Sequence, residues 1–358
     1  MKRPLHPQVP AFTLVEVLVS ATIFVVILGF MLTVSDQTAR IMRSTTGKVE
    51  QFREARTGFE RITTRLSQAT LNTYWDYDSA TLPTRYERRS ELRFVSGQAA
   101  ALLGNSGTKT RLTHCVFFNA PLGLAATAAD SALANALNTV GYFVEFADDS
   151  ALRPAFITSA IVPPKWRWRL MEFAQPTEQF NLYTYTSGAT GGVANSRTYN
   201  QTMWFNNAVN AGGFSRVLAG NVVALIFTPR LSKAEELPLQ AGSPDLSPLA
   251  PNYAYDSTTA VANPALNPKS QLPPIIQVTM VAIDEGSADR LSLDSTKANL
   301  LGVATKFANT ANFTSDLSID STATNSLEKT LVRLKARYRI FTTNVHIRGA
   351  KWSRDQAN

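Results

Sequence analysis

The sequence predicts an α+β protein in which a long N-terminal helix, membrane-spanning over its first half, packs its second half on an antiparallel β-sheet head. Three observations lead there. Phe12 to Val34 holds a single charge, Glu16, in twenty-three positions. Beyond it an apolar stripe recurs at threes and fours, and from Tyr74 onward short β-rich runs alternate with polar or small-residue loops.

Residues 1–11, MKRPLHPQVPA, form a polar, basic leader in which Pro4, Pro7 and Pro10 cannot continue a helix. The apolar stretch that follows, 12–34, would run roughly 34 Å as a helix, against about 30 Å of bilayer hydrocarbon. It is long enough to span. Lys2 and Arg3 ahead of it hold the leader in the cytoplasm by the positive-inside tendency, so everything after Val34 lies outside.

Glu16 is the informative residue, because a carboxylate at a membrane-helix centre costs about 2.5–3.5 kcal/mol and an acid there usually has a partner and a task. A cut after Ala11 would make Phe12 the N-terminus. Its ammonium would then stand four residues from Glu16, in the first turn, where the helix dipole also favours a carboxylate. In a helix bundle the same ammonium could meet Glu16 of a neighbouring chain and set an assembly register. An ordinary secretory signal has a shorter apolar core, about 7–15 residues, ending at an A-x-A-like site; here SDQTAR follows. A plain uncleaved anchor is the other alternative.

Over 35–73 the pattern becomes amphipathic. Val49, Phe52, Ala55, Phe59, Ile62, Leu66 and Ala69 make one apolar stripe, with Lys, Arg and Glu on the other faces and Gly47 and Gly58 weakening the helix without ending it. Continuous from Phe12 to about Asn72, the helix would measure ~90 Å. A separate coiled-coil segment is the alternative.

The head, 74–358, offers strands at 91–95, 112–118, 142–146, 166–173, 222–228, 275–283 and 338–347, and a short helix near 326–334. In Trp166 to Leu170 aromatics alternate with arginines, which suits a half-buried strand better than a base-stacking surface. Val222 to Phe227 is apolar on both faces, as expected of a central strand covered by the helix on one side. Ala120 to Val140, Tyr185 to Gln201 and the Pro, Ala and Ser-rich 232–271 do not look like core; the last reads as an exposed functional loop or disorder. A further insertion covers 286–324.

With 358 residues, 44% of them hydrophobic, there is material for one large or two small domains behind the anchor. The formal charge of +8 is spread along the chain rather than blocked, a weak signal for nucleic acid. Cys115 is the single cysteine, so neither an intramolecular disulfide nor a thiolate metal cluster can form, and it reads as a small buried hydrophobe. His6, His114 and His346 lack metal-ligand spacing, and there is no G-x-S-x-G, Walker A or G-x-G-x-x-G motif. No enzyme activity is expected.

A short basic leader, a small residue, F-T-L-x-E and about twenty apolar residues resemble the class III signal of type IV prepilins and type II secretion pseudopilins. By position the resemblance implies Ala11 as the last leader residue, Phe12 as the first mature, N-methylated residue, and Glu16 as the assembly acid; the family usually has Gly where this chain has Ala11. LAGNVVALIFTPRL, then LPPIIQVTMVAID and a short helix into RYRIFTTNVHIRGA, are similar to the large J-type minor pseudopilins and W-type minor pilins. GYFVEFADD and WRWRLMEFAQPTE add a likeness to the Verru_Chthon cassette protein C family.

The resemblance implies a pilin-like fold, cleavage and methylation by a prepilin peptidase, other pilins or pseudopilins as partners, and an inner-membrane, single-pass placement with the head in the periplasm. Some pseudopilins bind calcium, and the adjacent acids Asp148 and Asp149 could supply hard oxygen ligands. Solvated turns explain them, and the pair Asp284 and Glu285, more simply. The rivals to an assembling subunit are a DNA- or surface-binding head using Arg333, Lys335, Arg337 and Arg339, and a monomeric envelope protein that uses its helix only as a tether.

Overall fold

The computed structural model describes residues 13–79, 81–130, 132–154, 156–183, 186–187, 198–199, 202–236 and 249–353. The chain divides into two compact units, Met1–Glu50 and Gln51–Asn358.

Helix α1 (Leu14–Leu66) comes first, then the hairpin strands β1 (Tyr74–Tyr77) and β2 (Tyr86–Arg89). The head continues with β3 (Phe94–Gln98), α2 (Ala99–Leu102), β4 (Thr110–Pro121), β5 (Leu137–Ala147) and β6 (Arg167–Gln175). Next are β7 (Thr186–Ser187), β8 (Thr198–Tyr199), α3 (Met203–Asn210), β9 (Ser215–Gly220), β10 (Val222–Arg230) and α4 (Lys233–Glu236). The chain closes with β11 (Tyr255–Asp256), β12 (Ile275–Ile283), α5 (Glu285–Arg290), α6 (Phe313–Leu317), α7 (Leu327–Arg333) and β13 (Tyr338–His346).

Every strand pair among the described residues is antiparallel. A six-stranded sheet runs β11-β3-β4-β5-β6-β9 and a three-stranded sheet runs β10-β12-β13. Asn221, at φ +56°, is the single residue between β9 in one sheet and β10 in the other. Asn is among the few side chains that enter the left-handed region readily, which suits it to this corner.

The six-stranded sheet is covered on both faces. On one, Phe94, Phe118, Tyr142, Trp168 and Leu170 join the core that contains β10, β12 and the end of α1. On the other, Cys115, Phe117, Phe143 and Phe173 pack with Trp204, Phe205 and Val209 of α3. The helix stripe is buried as its periodicity predicts: Ala55, Phe59, Ile62 and Leu66 lie in the first core. Gly58 has a packing role rather than a merely weakening one. A β-carbon there would come within 3.3 Å of the Leu170 side chain, so its absence lets the helix approach β6 closely.

Strand β10 departs from expectation. Val222 to Phe227 is apolar and buried throughout, yet the strand lies at an edge of its sheet rather than its centre. The reason is a bulge in β4, where Thr113 (φ +58°), His114 and Cys115 stand opposite Phe143 alone. From that bulge Thr113 Oγ1 accepts the Leu225 N–H at 3.1 Å and His114 Nδ1 accepts the Phe227 N–H at 3.3 Å. Two side chains thus take the place of a neighbouring strand.

The stretches read as outside the core are also partly corrected. Residues 237–248 of the Pro-rich segment lie outside the described residues, but Leu249, Ala250, Tyr253 and Tyr255 after them are buried, and β11 pairs with β3. Within 286–324, Ala288, Leu301, Val303 and Phe307 join the larger core. Alanine, proline and serine between these anchors hid them, because isolated apolar residues have no period to read.

Candidate membrane segment and charged clefts

Among the described residues one helical stretch, Leu14–Thr38, is long and apolar enough to cross a membrane, and none of it is buried. Four of its hydroxyls are satisfied within the helix. Ser20 donates to the Val17 carbonyl, Thr22 to Val19, Thr33 to Gly29 and Thr38 to Val34. Such back-bonding removes polar groups that hydrocarbon could not satisfy.

At the start of this stretch Thr13 and Glu16 form a reciprocal cap. Glu16 Oε2 accepts from the Thr13 N–H at 3.0 Å and the Thr13 hydroxyl at 2.9 Å, while Thr13 Oγ1 accepts the Glu16 N–H at 3.3 Å. This is the capping-box arrangement T-x-x-E, which satisfies orphan donors of the first turn. Glu16 therefore has a local partner in its own first turn. Ala11 and Phe12, the expected cleavage and methylation residues, lie outside the described residues.

The two acidic pairs noted in the sequence send one member each to a shared cleft of about 320 Å³. Asp149 and Glu285 line it together with Glu54, Lys165, Arg167 and Arg169. Asp149 accepts the Lys165 N–H at 2.8 Å and pairs with Arg153 at 2.9 Å. Partial burial raises the Asp149 carboxyl, but the Lys165 N–H and Arg153 outweigh it and the net shift is downward. Arg167 donates to Glu285 at 2.8 Å and also meets Asp289. Glu285, likewise raised by burial, is brought below its ordinary value by Arg167 and Asn221. Glu54 moves the other way, because burial and the nearby Glu285 charge oppose ionisation more than the Gly220 N–H favours it.

The Asp148 carboxylate accepts the Ser150 N–H at 3.0 Å. The calcium reading thus meets an Asp149 whose two oxygens already hold protein donors. Among the described residues no cluster of three or more His, Cys, Asp or Glu side chains has metal-binding geometry.

The remaining candidates for chemistry are structural. His114 is fully buried, accepts at Nδ1 from Phe227 and lies 2.8 Å from the Phe307 carbonyl at Nε2, which fixes it as the neutral Nε2–H tautomer. Burial lowers its pKa to about 4. Cys115 is buried and its thiol pushed far up by desolvation, which makes it unreactive. The arginines of the Trp166 to Leu170 strand are used internally, Arg167 as above and Arg169 on the Ala147 and Asp148 carbonyls. Arg333, Lys335, Arg337 and Arg339 are all exposed.

Sequence reasoning missed the charge cluster that holds the end of α1 on the sheet. Glu172 of β6, without solvent exposure, binds Arg61 at 2.8 Å and Arg65 at 2.7 Å from the helix, Arg216 from β9, and the Tyr142 hydroxyl at 3.0 Å. The available signal was the i, i+4 spacing of Arg61 and Arg65, which puts both on one helix face.

No family model matches the chain, and no curated protein or solved structure matches it either.

Proposed function

We propose that this chain is a minor pseudopilin or pilin-like structural subunit that assembles through its N-terminal helix into a type II secretion or type IV pilus-like envelope filament. The observation that supports it most is the composition of α1. The helix begins as an apolar stretch exposed on every side with an acid in its first turn, and it ends as a stripe buried on an antiparallel sheet. An all-round apolar surface needs either lipid or other helices around it, and an acid at its start needs a partner.

In this reading a prepilin peptidase of the inner membrane cuts between Ala11 and Phe12 and methylates Phe12. The new ammonium then pairs with Glu16 between neighbouring subunits, and the head stands in the periplasm. The test is the mass of the N-terminal peptide of the mature protein, taken from membranes with and without the peptidase. A chain beginning at N-methyl-Phe12 only when the peptidase is present is the expected result. An intact Met1 in both would remove the ammonium and the reading with it.

The second reading is a membrane-tethered extracytoplasmic binding protein that does not assemble. The observation that favours it is the Thr13–Glu16 cap, since a carboxylate satisfied by its own first turn needs no partner from another subunit. Co-purification of other pilin-like subunits separates the two, because only the first reading requires them.

A further inference from the structure

The β1–β2 hairpin directs its aromatic side chains to solvent. Trp75 is cross-strand partner to Arg88 and Tyr77 to Tyr86, and both pairs share one face because side chains alternate along each strand. Trp75 is 62% exposed, Tyr77 44% and Tyr86 60%. The two tyrosine rings stack with centroids 4.7 Å apart and their hydroxyls are 3.0 Å apart. Large amphipathic rings clustered at a surface are unusual unless they meet something.

A cleft of about 430 Å³ opens at the end of this face. Trp75, Arg88, Thr73, Ser270, Gln271 and Lys351 are among its walls, and no acidic side chain lines it among the described residues. Its size falls in the range of small-ligand clefts, about 300–1,000 Å³. The Arg88 side chain is held in place: Nη1 donates to Gln271 Oε1 and to the Lys351 carbonyl, each at 3.0 Å, and the guanidinium lies 5.8 Å from the Trp75 ring centre. That arrangement steadies the indole. By contrast the Trp75 indole N–H, the Lys351 ammonium and the Thr73 hydroxyl have no protein partner among the described residues. A fixed aromatic plane bordered by unused donors is a receptor for a ring with an apolar face and polar edges.

We propose that the cleft and the aromatic face beside it bind an acidic polysaccharide, with a uronic-acid ring lying on Trp75 and its carboxylate meeting Lys351. The axial C–H bonds of a pyranose pack on an indole plane, and its hydroxyls suit the Thr73 and indole donors. The next sugar of the chain would reach the Tyr77–Tyr86 pair along the same face. A nucleic acid strand fits less well. Arg85, Arg89 and Lys269 are already paired with Glu87, so they offer no row of free bases to a strand's phosphates, whereas the uronate on Trp75 needs only Lys351. The inference stands apart from assembly, since it uses only residues of the head and holds for a cleaved or an uncleaved chain.

The experiment is a tryptophan-fluorescence titration of the full-length protein in detergent with oligogalacturonate, alongside neutral dextran oligomers and oligothymidylate. Saturable binding of oligogalacturonate is expected, weakened about tenfold or more by Trp75→Ala and several-fold by Lys351→Gln, with dextran binding less tightly. Trp75→Phe should restore part of the loss, and an unchanged melting temperature shows that the exposed substitutions leave the fold intact. No binding of oligogalacturonate by the unaltered protein, equal binding by Trp75→Ala, or tighter binding of oligothymidylate would each overturn the proposal.

Discussion

Arg65 donates to Glu172 at 2.7 Å, the closing contact of a cluster in which one buried carboxylate receives three arginines. Two of them belong to α1 and one to β9, so a single acid ties the helix to the sheet beneath it. Glu172→Gln keeps the shape and removes the charge, and is expected to cost the head about 3 kcal/mol in chemical denaturation. The loss lies at the lower end for a broken buried pair because Arg61 and Arg216 are near enough to the surface to be hydrated, while Arg65 is not. Burial raises the Glu172 pKa, but the arginines bring it below its ordinary value. Its contribution is therefore present above the unfolded value, about 4.3, and declines as pH falls below that.

His114 gives a second pH dependence at a higher range. Its folded pKa of about 4 lies below the ordinary ~6.5, so the unfolded chain takes up the proton first as pH falls. The head is expected to lose stability between about pH 6.5 and 4, by on the order of 3 kcal/mol over that interval, with no such loss above it. Denaturation midpoints measured across this range should fall for the native head. In His114→Gln, whose side chain does not titrate, the part of this fall above the carboxylate range, between about pH 6.5 and 5, should be absent.

Gly141 faces Phe117 directly across β4 and β5. A β-carbon at 141 would lie 2.2 Å from two atoms of the Phe117 ring, and that ring is stacked at 3.9 Å on Phe205, which leaves it nowhere to retreat. Gly141→Ala is expected to destabilise the head by about 3 kcal/mol, as overpacking in a filled core does. The urea midpoint should drop, and Phe205→Ala in the same chain should recover part of the loss beyond additivity.

Glu16 can be tested for charge and capping separately. Gln also completes a capping box, so Glu16→Gln preserves the Thr13 cap and removes only the charge. On the filament reading this variant enters the membrane normally but incorporates as poorly as Glu16→Ala when co-purification with pilin-like subunits is measured. Normal incorporation of Glu16→Gln together with failure of Glu16→Ala would assign the residue to helix initiation alone.

Periodic elements were legible in the sequence and non-periodic ones were not. Ile275 to Ile283 is a strand with the expected bounds, and the buried apolar side chains of α1, Ala55, Phe59, Ile62 and Leu66, are stripe residues, because burial on one side imposes a period that survives in composition. Strands β1, β2 and β9 were missed, being short and mostly polar or half-exposed. The cleft shared by Asp149 and Glu285, the Glu172 cluster and the Trp75 cleft each depend on residues far apart in the chain, and no local signal announces such meetings. Glu16 was legible as an unusual residue. Its bond to Thr13 is legible too, as T-x-x-E, whereas the apolar run after it points equally to a partner in another chain.

The side-chain closure of β10 has a kinetic consequence. Leu225 and Phe227 receive their acceptors from Thr113 and His114, more than a hundred residues earlier, and those acceptors exist only where the β4 bulge has formed between β3 and β5. The three-stranded sheet cannot be sealed before the six-stranded one is in register. Closing so large a loop late makes folding slow and strictly ordered, and until it is complete β10 presents an open apolar strand edge to any chain nearby.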